Sequence, residues 1–245
     1  MPYRKMPGTD VTRLEALRAL HTKADSTPSE ARAFSETNHA RLKTFLPVFQ
    51  KELEERGTAL SVQSDATSRR LETEEECRTF VSHFYRVFNL GVTRKKYKAY
   101  ERAHFQLDIN SESVPDLRSE ESIRTRAENI INGDKKRIAA GGAEMSNPTR
   151  DEVETVYARY TAALADQSAK KDAYEKEQKD VENIRAEADE LIRDIWDEIE
   201  FNFRKEEAPA LRRKAREYGV VYLSRPGETE EVPVAELPQQ TEQTE

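Results

Sequence analysis

The sequence predicts an all-α protein whose spine is two long antiparallel, coiled-coil-like helices. Three observations carry this expectation. Residues 149–207 contain neither Gly nor Pro, and apolar side chains recur through them at alternating spacings of three and four, the period of a helix face. Charged and hydrophobic residues each make up 36% of the chain and mean hydropathy is −0.90, which describes a thin core under a large wetted surface. Only 8 glycines are present, too few for a fold made of many tight turns.

In chain order, residues 1–9 carry no periodic pattern and read as unstructured. Thr12 and Glu15 have capping-box spacing, and Leu14, Leu17 and Leu20 form a short stripe, so 11–24 is expected to be helical. Ser26-Thr27-Pro28-Ser29 breaks it, closing an N-terminal segment at 34. A first long helix over 35–90 follows from the ladder Leu42, Phe45, Phe49, Ala59, Gln63, Ala66, Cys77, Phe84, with Pro47 expected to kink it and Gly91 to cap it.

Residues 92–148 form a connection long enough to bring the chain back alongside itself. Within it, Arg94 to His104 reads as a short helix, and Phe105 to Ile109 alternates like a strand. Ser119 is the expected N-cap of a helix to about Ala140, which Gly133 is expected to weaken. Gly141-Gly142 ends that helix. It follows no strand and precedes no Lys-Ser/Thr, so it is a turn rather than a phosphate loop.

Thr149 and Glu152 form a second capping box and open the long helix over 149–207. Pro209 starts a basic helix that Gly219 closes, and Val220 to Leu223 is β-prone, a partner for Phe105 to Ile109. The acidic residues 227–245 read as a disordered tail. Both long ladders turn polar at their centres and keep their large side chains at the ends. The shorter helices are therefore expected to pack at one end of the spine; the alternative is a compact four-helix bundle, each long helix folding back at its polar centre.

Charge narrows the partners. The formal charge of −7 is concentrated in 228–245, which holds six Glu and no Lys or Arg; without it, 41 acidic face 40 basic residues. A near-neutral body argues against a general polyanion binder. The single cysteine, Cys77, excludes an internal disulfide and a multi-cysteine metal site. No run approaches the roughly 18 apolar residues of a membrane span, and the N-terminal residues lack a secretory apolar core. A cytoplasmic protein with no membrane association is expected.

Candidate sites are few. Arg94, Lys95, Lys96, Tyr97 and Lys98 form one basic cluster, and Arg212, Arg213, Lys214 and Arg216 another. Cations interleaved with aromatics bind phosphates and stack bases, although the same residues also serve helix carboxyl ends. Each cluster follows the aromatic end of a long helix, so both are expected at one end of the molecule. Trp196, with Phe201 and Phe203, is core unless exposed, in which case it marks an interface. Glu36 with His39 and Glu101 with His104 match the Glu-x-x-His spacing of di-metal bundles, with Glu190, Asp194 and Glu198 as further carboxylates; solvated surface is the simpler reading in so acidic a chain. Cys77 and His83 lie six positions apart, on different sides of one helix, and make a poor nucleophile–base pair.

The expectation is a non-enzymatic structural or interaction protein, self-associating through amphipathic helices, with protein partners and no cofactor. A nucleic-acid-associated protein using the basic end is the second reading, and a metal-dependent helical-bundle enzyme the third. No motif resembles a known family closely enough to transfer function.

Overall fold

The computed structural model describes residues 2–225; the acidic segment 227–245 lies outside them. The elements are β1 (Tyr3–Arg4), α1 (Asp10–Asp25), a 3-10 turn (Ser29–Ala31), α2 (Glu36–Thr93), a 3-10 helix (Ala99–Phe105), α3 (Glu120–Ala139), α4 (Arg150–Asn202), α5 (Ala208–Arg216) and β2 (Tyr222–Leu223). The fold is all-α with a minimal two-stranded sheet. α2 runs 58 residues and α4 runs 53 without interruption, so neither folds back at its polar centre and the compact four-helix alternative falls. The chain divides into two compact units, Met1–Arg56 with Glu177–Glu245, and Gly57–Lys176. Each is described by itself.

In the first unit, Leu42, Phe45, Leu46 and Phe49 of α2 bury against Ala188, Leu191, Ile192, Ile195, Trp196 and Ile199 of α4. Leu17, Leu20 and Ala24 of α1, with Ala215, Tyr218 and Val220 around α5, complete the cluster. Helix polarity is read from ion pairs and caps. Ser35 donates to Glu198 from its backbone N–H at 2.7 Å, and Arg41 pairs with Asp194 at 2.9 Å, so numbers rise along α2 as they fall along α4. The two segments are antiparallel.

In the second unit, Cys77, Val81, Phe84, Tyr85 and Phe88 of α2 pack with Ile123, Ala127 and Ile130 of α3, Val153 and Tyr160 of α4, and Tyr97, Phe105 and Met145. Antiparallel order holds here too. Arg69 pairs with Asp166 at 3.7 Å and Glu76 with Arg159 at 2.8 Å, the same two helical turns along each helix.

Several expectations need correction. The shorter helices do not form one group: α1 and α5 belong to the first unit and α3 to the second. Residues 105–109 are not a strand. Phe105 ends the 3-10 helix fully buried, its ring 4.9 Å from Phe88 and 5.5 Å from Phe84 in edge contact, and Gln106 then turns left-handed at φ 55. That buried aromatic anchor outweighs the alternation of 105, 107 and 109. β2 pairs instead with β1, Tyr3 opposite Leu223 and Arg4 opposite Tyr222, so residues 1–9 are partly ordered. Thr9, not Thr12, is the N-cap of α1; it accepts from the Thr12 N–H at 3.2 Å.

Gly91 is no left-handed cap, because α2 continues to Thr93 and Lys95 carries the positive φ of 62. Gly91 is needed for another reason: a Cβ there would run into the Tyr97 ring. α3 passes through Gly133 unbroken for the same kind of reason, its missing Cβ leaving room for the His104 carbonyl.

Candidate functional site

The structure places the two basic clusters in different units and gives them different surroundings. Arg94, Lys95, Lys96 and Lys98 are exposed just beyond α2 and form no ion pair among the described residues; Lys96 lies 5.2 Å over the Tyr97 ring. Tyr97 itself is buried, stacked 5.4 Å from Phe88, so it is a core residue and not a contact surface. In the second cluster Arg212 is buried, Lys214 pairs with Glu206 at 2.6 Å, and Arg216 lies 5.7 Å from the Tyr222 ring. Arg213 is exposed. That cluster is largely absorbed by its own unit.

Trp196 is fully buried among the α1, α2 and α5 side chains. Its membership of an interaction surface is therefore corrected: it shares the buried face of α4 with Ile192, Ile195 and Ile199. Phe201 is the exposed aromatic of this stretch, with the Arg204 guanidinium 3.7 Å from its centroid.

The two Glu-x-x-His pairs fall in different units, Glu36 with His39 in the first and Glu101 with His104 in the second. Glu36 is held by Arg32 at 2.6 Å, Asp194 by Arg41 and Glu198 by Ser35. Glu101 accepts from Arg137 at 3.0 Å. Arg137 is wholly buried, donates to Asp134 at 2.8 Å and lies 5.2 Å from the Tyr97 ring. This charge cluster is a structural clasp, in which removing one partner would strand a buried charge. Among the described residues, the acids close enough to share a cation are Glu52, Glu177 and Asp180, none of them in the expected motifs. Cys77 is buried, and burial pushes its thiol up to about 12, while His83 is exposed; they form no catalytic pair.

A further surface comes from the centre of the long helices. Within the second unit, Ala66 is the one buried residue of α2 between 57 and 76, and α4 buries none between 161 and 176. The half-buried positions Ala59, Gln63 and Arg70 of α2, and Ala163, Gln167 and Lys170 of α4, keep the expected three-four ladder. One position along, Leu60, Ser64, Thr67 and Leu71 repeat at four, three and four residues, so they share a face. Leu60 is 47% and Leu71 52% exposed. The two serine/threonine positions between them are small, which leaves a shallow strip with a leucine at each end. This ladder was legible in the sequence as the neighbour of the one that was read; only burial distinguishes the filled face from the open one.

No family model, no curated protein and no solved structure matches this chain.

Proposed function

We propose that this is a non-catalytic interaction protein that associates with a second copy of itself through the α2 strip Leu60–Ser64–Thr67–Leu71. The observation that supports the reading is the exposure of both leucines at helical spacing on a segment with a single buried residue. Helices derive most of their stability from packing an apolar face rather than from propensity. A two-fold pairing of the strip with its copy presents each leucine twice. Each Leu is already about half covered, so pairing brings about half of the 1.5–3 kcal/mol of full burial, set against an association cost of several kcal/mol. The expected complex is therefore weak, with a dissociation constant of about 1 mM.

Sedimentation velocity up to about 1 mM chain tests this. Wild type is expected to shift from monomer to dimer, and Leu60→Glu with Leu71→Glu to stay monomeric at unchanged helicity. A wild type that remains strictly monomeric removes the proposal.

A second reading rests on Arg94, Lys95, Lys96 and Lys98, four exposed cations without ion pairs among the described residues, beside the exposed ring of Tyr100. Such a patch suits a nucleic-acid backbone, with the ring available for stacking. Fluorescence anisotropy with single-stranded DNA decides it: binding that weakens steeply with salt supports the reading, and no binding at low salt rejects it.

A further inference from the structure

A second polar surface in the Gly57–Lys176 unit has a different character. α3 presents Asn129, Asn132 and Lys136 along one side, at successive helical turns, with Lys135 adjacent. Opposite them stand His104 and Gln106, at the end of the 3-10 helix. Together with Gly133 these residues line a cleft of about 440 Å³, within the range of roughly 300–1,000 Å³ typical of small-molecule sites. Two backbone features build it. Gly133 lets the His104 carbonyl approach α3 closer than any Cβ would allow, and Gln106 adopts φ 55 and ψ 38, turning its side chain out of the helical path.

The chemistry of the lining is one-sided. It holds two lysines, a histidine and three primary amides, and no acid. Lys135 reaches Glu154 only at 3.5 Å. The side chains of His104, Gln106, Asn129, Asn132 and Lys136 have no hydrogen bond or ion pair among the described residues, in a chain where most charges are paired. The Asn129 Nδ2 is buried from solvent and has no acceptor, a costly state for a donor. Lys136, in the last turn of α3, also complements the helix carboxyl end. That accounts for Lys136, but not for three amides converging on the same space or for a buried donor left open.

We propose that this cleft binds a phosphate group, free or carried as a phosphomonoester. The dianion of a phosphomonoester is acceptor-only and that of free phosphate carries a single P–OH donor; in both, the peripheral oxygens take several donors at once, and lysine serves them as a point charge. The amides of Asn129, Asn132 and Gln106 supply direction, and Lys135 and Lys136 supply charge.

Titration of the ¹⁵N-labelled full chain with inorganic phosphate and, separately, with adenosine monophosphate tests the proposal, against sodium chloride at matched ionic strength. The side-chain amide signals of Asn129, Asn132 and Gln106 are expected to shift together, with a dissociation constant of about 1 mM or tighter. Lys136→Gln and Asn132→Ala, both at exposed positions, should each weaken binding about tenfold, a loss equivalent to one charge-assisted contact. Lys43→Gln, at an exposed position of α2, should leave it unchanged. Tighter binding of the nucleotide identifies a phosphorylated molecule as the ligand; equal or tighter binding of inorganic phosphate identifies the free ion. Absence of amide shifts up to about 20 mM of either, shifts reproduced by chloride, or equal weakening by Lys43→Gln overturns the proposal.

Discussion

Asp10, in the first turn of α1, faces three arginines. Arg185 donates to both of its carboxylate oxygens at 2.7 and 2.8 Å, Arg56 donates at 2.6 Å, and Arg13 lies 3.4 Å away while gripping Asp189 at 2.8 Å. The Arg185 hydrogen bonds lower the Asp10 pKa most; burial opposes them and Arg56 adds to them, leaving it at about 2 against an ordinary 3.8. A carboxyl depressed on folding stabilises the native state fully above its unfolded pKa. That contribution, about 2 kcal/mol, is lost as pH falls from about 3.8 through about 2. Asp10→Asn should therefore destabilise the first unit by about that amount at neutral pH and flatten the urea midpoint across this acid window. A variant with the wild-type pH profile would remove Asp10 from the account. Acidity near a helix start was visible in the sequence. The three arginines arrive from α1, α2 and α4, and only folding brings them to one carboxylate.

At the scale of elements, α2 shows how a helix tolerates a proline. Pro47 is exposed while its neighbours Phe45, Leu46 and Phe49 are buried. The carbonyl of Lys43, which loses its usual donor, therefore faces water rather than core. An interior proline still costs a helix about 3 kcal/mol relative to alanine, partly offset by the stiffer unfolded chain. Pro47→Ala is expected to raise stability by about 2 kcal/mol in urea unfolding followed by far-UV circular dichroism; a loss of stability would mean that the proline is required for the path of α2. α4 opens as its sequence predicts: Glu152 accepts from the Thr149 N–H at 2.7 Å, and Thr149 Oγ1 accepts from the Glu152 N–H at 3.2 Å. The capping box was readable because its partners are three residues apart. The end of α2 was not, because Gly91 is specified by the ring of Tyr97 and not by its own neighbours.

At the scale of the whole molecule, the two units have separate buried clusters with no residue in common, and each carries its own reporter. Trp196 is the only tryptophan and sits in the first. Cys77 is the only cysteine and sits in the second. Because burial holds the thiol protonated, up to about 12, it should resist alkylation in the native state and label only when its unit opens. Phe84→Ala removes a fully buried ring from the second cluster and is expected to cost about 3–5 kcal/mol. The thiol should then label at lower urea, while the Trp196 fluorescence transition stays within about 0.5 kcal/mol of wild type. Equal shifts of both probes would show that the two clusters unfold as one.

By itself the sequence determined the helical class, the run of the second long helix through its Gly- and Pro-free polar centre, and the caps at Ser119 and Thr149. These depend on interactions between residues three or four apart, which a linear pattern records directly. The tertiary structure decided that β2 pairs with β1, that the short helices serve two clusters rather than one, that Trp196 and Tyr97 lie inside, and that Asn129 and Lys136 face His104 across a cleft. Those arrangements depend on burial and on contacts between residues far apart in the chain, and local periodicity carries no information about them.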